Sequence, residues 1–269
     1  MNAYWGILWK MVDRADVVVE VVDARFPSIC RSNRLEQRVA EMPNKGLLVA
    51  LNKTDLIPKE LLDKWLVWFR EHEGLRATGV SAQQRLGTSR IRQEILKLTN
   101  RDSATVAIVG FPNTGKSSLI NVLKGRKSAP TAPVAGHTKS YQKVKISRSL
   151  MMYDTPGVIP FKLPEKHLYL LGAISLTKVK DPMGVAYLLY DQYEELAPGR
   201  IAEYYGIDTV VYDFLEDLAK AKNRLIAGGE PDLRMAALMF LKDHLRGEIP
   251  IYEDINNPLR YADNDDEDN

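Results

Sequence analysis

Two stretches of the chain are dense in β-branched and aliphatic residues: ADVVVEVVDAR (residues 15–25) and GLLVALNK (46–53). Dense β-branched and aliphatic runs of this length predict strands buried on both faces, as in parallel sheets. Between them, RSNRLEQRVAEM (31–42) has helical spacing of its apolar residues. PKELLDKWLVWFREHEG (58–74) has it too. Pro58 suits a helix start, where no amide proton is needed, and Gly74 marks the stop. ATGVSAQ (77–83) predicts a short strand running into a loop, SRIRQEILKLT (89–99) a helix, and SATVAIVG (103–110) a strand. KSSLINVLKG (116–125) then reads as a helix, and YQKVKIS (141–147) and SLMMYDTPG (149–157) as two more strands. Strands alternating with helices predict an α/β fold with a doubly wound, mostly parallel sheet.

Beyond about residue 160 the period changes. HLYLLGAISL (167–176), PMGVAYLLYDQYEEL (182–196), GRIAEYYG (199–206), TVVYDFLEDLAKAKN (209–223) and PDLRMAALMFLKDHLRG (231–247) are mostly helical in spacing. The expected organisation is an α/β domain over residues 1–160, a small α-helical domain over 161–255, and an acidic tail, 256–269, without apolar anchors. No internal repeat is visible.

Composition narrows the class. Of 269 residues, 45% are hydrophobic and 27% charged, which suits a soluble protein with a real core. No apolar run is long enough to span a bilayer, and the first residues lack a signal-peptide cleavage pattern. One cysteine, Cys30, excludes an internal disulfide and a cysteine-rich metal site; a reducing cytoplasm is the expected compartment, and Cys30 is expected to be inert. The net charge of +2 conceals a split: residues 1–160 carry 25 Lys and Arg against 14 Asp and Glu, whereas residues 161–255 carry 11 against 16. The basic front half either meets a polyanion or is a solvated charged face.

The chemistry lies in short phrases at the ends of the expected strands. Gly110-x-x-x-x-Gly115-Lys116-Ser117 follows a strand and opens a helix, as a phosphate-binding loop must. Its glycines let backbone amides face phosphate oxygens, Lys116 would neutralise the β- and γ-phosphates, and Ser117 would ligate Mg²⁺. Thr114, Gly115 and Ser118 complete that lining. In DTPG (154–157), Asp154 would hold Mg²⁺ through water, and the Gly157 amide would reach the γ-phosphate. In NKTD (52–55), Asp55 can accept from both N1 and N2 of guanine, Asn52 would brace the loops, and the Lys53 stem would cover the ring. SAQ (81–83) would offer backbone amides from Ser81 and Ala82 to guanine O6. The nucleotide is then GTP or GDP. Thr138 in VAGHTKS (134–140) would close onto Mg²⁺ and γ-phosphate as a switch, with Thr131 as the rival.

The motif order is base, base, phosphate, switch, Mg²⁺. An ordinary GTPase runs phosphate, switch, Mg²⁺, base, base, so one order is a circular permutation of the other. The break falls after DTPG, and the second switch leads straight into the helical domain. That connection is expected to carry nucleotide state to residues beyond 160.

The chain resembles the circularly permuted GTPases of the YlqF/YawG family, which act in large ribosomal subunit assembly. DVVVEVVDARFP, LNKTDL, GFPNTGKSSLIN, GHTKS, DTPGV, LGAISL and GGEPDLRMAALMFLKDHLRGEIP carry the likeness, over nearly the whole length. The resemblance implies a GTPase that docks on ribosomal RNA and proteins of the large subunit or its precursor, with a helical C-terminal domain helping to bind RNA. Two features depart from it or complicate it. Bacterial members carry a histidine near the N-terminus, proposed to assist hydrolysis, whereas the first histidine here is His72. Val158 follows DTPG where Ras-like enzymes have a water-orienting glutamine, a hydrophobic substitution that the family shares. The catalytic group must then be a monovalent cation, the ribosome or another residue. Asn113 looks like the asparagine that holds K⁺ in cation-dependent relatives; otherwise it is a loop asparagine suited to a tight turn. His137, beside Thr138, reads either as a water contact or as a surface residue.

The basic residues of GRK (125–127) and TKSYQKVKISR (138–148) are the expected RNA-facing positions. In the acidic helical domain only one helix face, Lys220, Lys222 and Arg224, offers a rival. Trp65, Trp68 and Phe69 are expected to pack against the sheet. Tyr204 and Tyr205 either stack on bases or pack internally. The competing functional classes are a nucleotide-controlled scaffold with negligible turnover and a GTPase of another RNA process, such as tRNA modification.

Overall fold

The structure, a computed structural model, describes residues 3–125, 143–153, 163–208 and 213–259. It forms two compact units, one of residues 1–162 with 258–269, the other of residues 163–257.

The first unit holds six strands: β1 (Val17–Asp23), β2 (Gly46–Asn52), β3 (Ala77–Gly79), β4 (Ala104–Val109), β5 (Lys143–Lys145) and β6 (Leu150–Tyr153). They form one sheet in the order β3-β2-β1-β4-β6-β5. Five strands are parallel, and β5 pairs antiparallel to β6 at the edge. Strand β1 lies inside the sheet, and every one of its residues is buried, which is why it is so dense in valine. Its register pairs Asp23 with Asn52 on one side and Glu20 with Val109 on the other. The carboxyl ends of β1, β2 and β4 therefore meet at one edge, where open α/β sheets bind ligands.

Helices α1 (Ala3–Arg14), α2 (Asn33–Ala40), α3 (Lys59–Glu71), α4 (Thr88–Thr99) and α5 (Lys116–Lys124) complete this unit. Ile91 and Ile95 of α4 and Leu119 and Leu123 of α5 join Val17, Val19, Val21, Leu48, Ala50, Val106 and Ile108 in one buried cluster. Each of these Val, Leu and Ile side chains contributes about 1.5–3 kcal/mol of transfer free energy. Helix α1 has no counterpart among the expected elements, although Trp5, Leu8, Trp9 and Val12 are buried at helical spacing. Trp5 and Trp9 stack at 5.0 Å, and Arg34 and Arg38 of α2 lie over these rings at 4.7 and 4.2 Å, which docks α2 on α1. Ser32 caps α2 by accepting from the Leu35 amide. Its own amide donates to Glu20 Oε1 at 2.7 Å, which explains a glutamate inside the buried strand. Burial, then the nearby Glu36, pushes the Glu20 carboxyl well above its usual range.

Trp65 and Phe69 are fully buried, and Arg31 lies over Trp68 at 5.7 Å and over Phe69 at 5.4 Å. That aromatic stripe is packing. Cys30 is buried and donates to the Phe26 carbonyl. The Ser28 hydroxyl donates to the Leu259 carbonyl, within the stretch expected to form the tail.

The second unit contains α6 (Glu165–Leu170), α7 (Pro182–Leu196), α8 (Arg200–Tyr205), α9 (Phe214–Ala221) and α10 (Leu233–Arg246). Among its described residues there is no strand pairing beyond two isolated bridges. The Tyr193 hydroxyl meets His244 Nδ1 at 3.0 Å, and His244 Nε2 meets the Leu170 carbonyl at 3.0 Å, tying α7 and α10 to the end of α6. Tyr205 is buried and donates to Asp243 at 2.8 Å, so it packs internally; Tyr204 is 38% exposed and donates to Glu248. Lys220 pairs with Glu216, and Lys222 lies 5.5 Å from the centre of the Tyr205 ring. Two of the three cations proposed for an RNA-facing helix are thus engaged locally, while Arg224 is exposed. No helix among the described residues is long and apolar enough to cross a membrane.

Candidate nucleotide-binding site

Strand β4 ends at Val109, and the chain turns at Gly110 with φ +151°. A Cβ there would lie 2.3 Å from the Val21 carbonyl oxygen of β1, so only glycine fits. Gly115 has φ +92°, and a Cβ on it would meet Asn52 Nδ2 at 2.0 Å. The two glycines therefore bound a loop pressed onto β1 and onto the end of β2. Asn113 takes φ +59° within it and is exposed. The loop is fixed internally: the Thr114 hydroxyl donates to the Phe111 carbonyl at 3.0 Å, and Lys116 Nζ donates to the same oxygen.

Helix α5 starts at Lys116 without a side-chain cap, and Ser117 and Ser118 are exposed in its first turn. Uncapped amides and the positive end of the helix dipole suit an anion. Burial lowers the Lys116 ammonium from its usual range to about 8. A phosphate beside it would raise that value again.

On the base side, β2 ends at Asn52, Lys53 follows in the left-handed conformation at φ +66°, and Asp55 lies in a short 3₁₀ turn, Thr54–Leu56. Asn52 joins three loops. Its Nδ2 donates to the Thr114 carbonyl at 2.8 Å, and its Oδ1 accepts from the Ala82 amide at 3.1 Å. Asp55 Oδ1 is buried and has no hydrogen-bond partner among the described residues. A buried acceptor left in that state is costly unless a ligand supplies donors.

The amides expected to face guanine O6 are otherwise occupied. That of Ser81 donates to the Leu86 carbonyl at 3.1 Å, across the isolated bridge that closes this turn, and that of Ala82 is held by Asn52. Contact with O6 therefore requires Ala82 to share its proton, since the Ser81 amide is committed to the bridge. A residue absent from the sequence reading, Asp23, sits at the end of β1 and accepts from Lys53 Nζ at 2.7 Å. It also accepts from the Arg25 amide, Nε and Nη2 at 3.0, 3.1 and 2.8 Å. Burial pushes the Asp23 carboxyl up, but Arg25 and Lys53 outweigh it and hold the group well below the usual carboxylate range. The one available signal was its position: an Asp at the carboxyl end of an inner strand, level with Asn52.

Thr138, Asp154 and Gly157 lie outside the described residues, as do Thr131, His137, Val158 and the basic residues 126–142. Of the remaining basic run, Lys145 and Arg148 are exposed.

The sequence profile of the RsgA GTPase family matches residues 8–164, and that of the family described as 50S ribosome-binding GTPase matches residues 105–225. An uncharacterised GTP-binding protein of Methanocaldococcus jannaschii is 36% identical over 92% of this chain and 66% of its own length. Nucleolar GTP-binding protein 2 of Pneumocystis carinii is 32% identical over 91% of this chain, and the nuclear/nucleolar GTPase 2 of Arabidopsis thaliana is 32% identical over 92%. The chain spans only 52% and 44% of those two proteins. Among solved structures, GNP-bound YlqF from T. maritima superposes with a TM-score of 0.64 at 26% identity, covering 94% of this chain and 97% of that one. A GDP-bound YlqF structure gives a TM-score of 0.65 over 92% and 97%. The chain belongs to the RsgA GTPase family and is a circularly permuted GTPase of the YlqF type.

Proposed function

We propose that the protein binds GTP and GDP with Mg²⁺, hydrolyses GTP, and works as a switch in assembly of the large ribosomal subunit, contacting rRNA or the pre-ribosome according to its nucleotide state. The observation that carries the nucleotide reading is the buried Asp55 Oδ1, without a hydrogen-bond partner among the described residues and held in one piece with the phosphate loop through Asn52. A carboxylate in that setting selects a base with two adjacent donors, which is guanine. Lys53, Asn113, Thr114, Gly115, Lys116, Ser117 and Ser118 would line the nucleotide. Ser117, Thr138 and Asp154 would hold Mg²⁺, and Gly157 would report the γ-phosphate. The ribosomal assignment is supported by the nucleolar relatives and by the 50S ribosome-binding profile. We place its action in the cytoplasm.

Sedimentation with large-subunit precursors tests the assignment. At one fixed salt concentration, a non-hydrolysable GTP analogue and GDP should give affinities that differ by roughly 5–150-fold, an ordinary coupling of about 1–3 kcal/mol. Equal co-sedimentation in both nucleotides removes the switch.

Val158 in place of glutamine favours a slow intrinsic rate and keeps a scaffold with negligible turnover as the second reading. Asn113 stands in the phosphate loop where a side-chain oxygen can hold K⁺ against the α- and γ-phosphates, adding positive charge as the transition state develops. Hydrolysis should therefore run faster in K⁺ than in Na⁺, and Asn113→Ala should erase the difference. Identical rates in the two salts exclude the cation.

A further inference from the structure

Lys53 of the base-reading turn has its side chain tethered to the neighbouring strand β1. It follows Asn52 in the left-handed conformation, at φ +66°, which a lysine adopts only when its surroundings impose it. Its ammonium reaches across to Asp23 Oδ2 at 2.7 Å. Asp23 is 1% exposed and is held by the backbone amide and guanidinium of Arg25. The register that pairs Asp23 with Asn52 places this carboxylate level with the start of the turn, and the Ala24 amide donates to the Asn52 carbonyl at 2.8 Å. The acceptor is rigid and buried, and it stays ionised because two cations oppose its burial.

We propose that Asp23, anchored by Arg25, is a positioning residue for the base site. It fixes Lys53 with its aliphatic stem extended, so that the surface meant for the guanine ring exists before the nucleotide arrives. This rests on the reading of NKTD as the base-binding turn. Affinity then gains because the turn need not be ordered on binding. Asp23 acts on the base end alone, so GDP and GTP benefit equally.

The test is a double-mutant cycle on the full chain, with GDP and GTP affinities measured by calorimetry. Lys53→Met keeps the stem and removes the ammonium; Asp23→Asn keeps the shape and removes the charge. Each should weaken GDP about tenfold, the loss of one charge-assisted contact. The pair together should weaken it no further than either alone, and the GDP to GTP ratio should stay at the wild-type value. Lys53→Arg, which keeps a cation within reach of Asp23, should retain most of the affinity. Should Asp23→Asn fail to fold by circular dichroism, the contrast between Lys53→Met and Lys53→Arg decides the matter alone. Wild-type affinity in Lys53→Met, losses that multiply in the double variant, or equal losses in Lys53→Met and Lys53→Arg each overturn the proposal. If the wild-type chain binds no guanine nucleotide at all, the base-site reading fails instead.

Discussion

Replacing Lys116 by alanine should abolish useful nucleotide binding while leaving the fold in place. The side chain sits where the phosphate loop enters α5, and in the free protein its ammonium rests on the Phe111 carbonyl. With nucleotide bound it would contact two phosphates, each charged contact being worth about 1.5–3 kcal/mol. Losing both should weaken GTP by about two to four orders of magnitude. Stability should not suffer, because burial has already lowered this ammonium to about 8 and the charge is a burden to the free fold. The same shift sets a pH dependence. Below about pH 8 the free protein carries the proton, and binding requires no uptake. Above it the proton must be taken up with the nucleotide, so affinity should fall as pH rises, until the raised value of the complex is passed. A calorimetric titration of wild type and Lys116→Ala from pH 7 to 9.5 checks both points. GDP affinity near wild type in the variant would mean that this loop holds no phosphate.

Asp55→Asn should transfer base preference from guanine to xanthine. Its carboxylate oxygen Oδ1 is buried and lacks a partner among the described residues, so its binding energy is available to a ligand. Guanine presents two donors to a carboxylate. An amide in the same place offers a donor of its own, which faces the guanine amino group badly and the xanthine 2-carbonyl well. Mismatched buried hydrogen-bonding groups discriminate strongly, so GDP should weaken by about 100-fold or more while xanthosine diphosphate gains. Competition of the two diphosphates for a fluorescent nucleotide reads the ratio. A well-folded variant with unchanged guanine selectivity would take Asp55 out of the base site.

What could be read from the chain alone follows the physics of each element. Strands β1, β2 and β4 declare themselves because burial on both faces favours dense Val, Ile and Leu, and Pro182–Leu196 and Leu233–Arg246 because their apolar spacing is helical. The antiparallel direction of β5 was not legible, since three residues of Lys-Val-Lys say nothing about which neighbour they pair with. Helix α1 was legible, since Trp5, Leu8, Trp9 and Val12 fall at helical spacing. At the candidate site, glycine and lysine spacing marks where the chain turns. The ties that Asn52 makes to Thr114 and Ala82 span 62 and 30 positions, and no spacing rule reaches that far. The Asp23–Lys53 pair has the same cause, because it depends on a strand register that only the folded sheet defines.

The strand order has a consequence for how the protein is made. Because β1 lies between β2 and β4, it is completed in two instalments. Its β2 side pairs with chain that emerges from the ribosome soon afterwards, but its β4 side must wait for about 80 further residues. At 5–20 residues per second that delay is roughly 4–16 s. Throughout it, Val17–Glu20, three valines and a glutamate, offer an unpaired ladder of the sort that captures other chains. The nascent protein can already display the NKTD turn during this interval, yet it cannot grip a nucleotide, since the phosphate loop comes off the same strand that closes the gap. Guanine nucleotide capture in this sense waits on the pairing of β1 with β4.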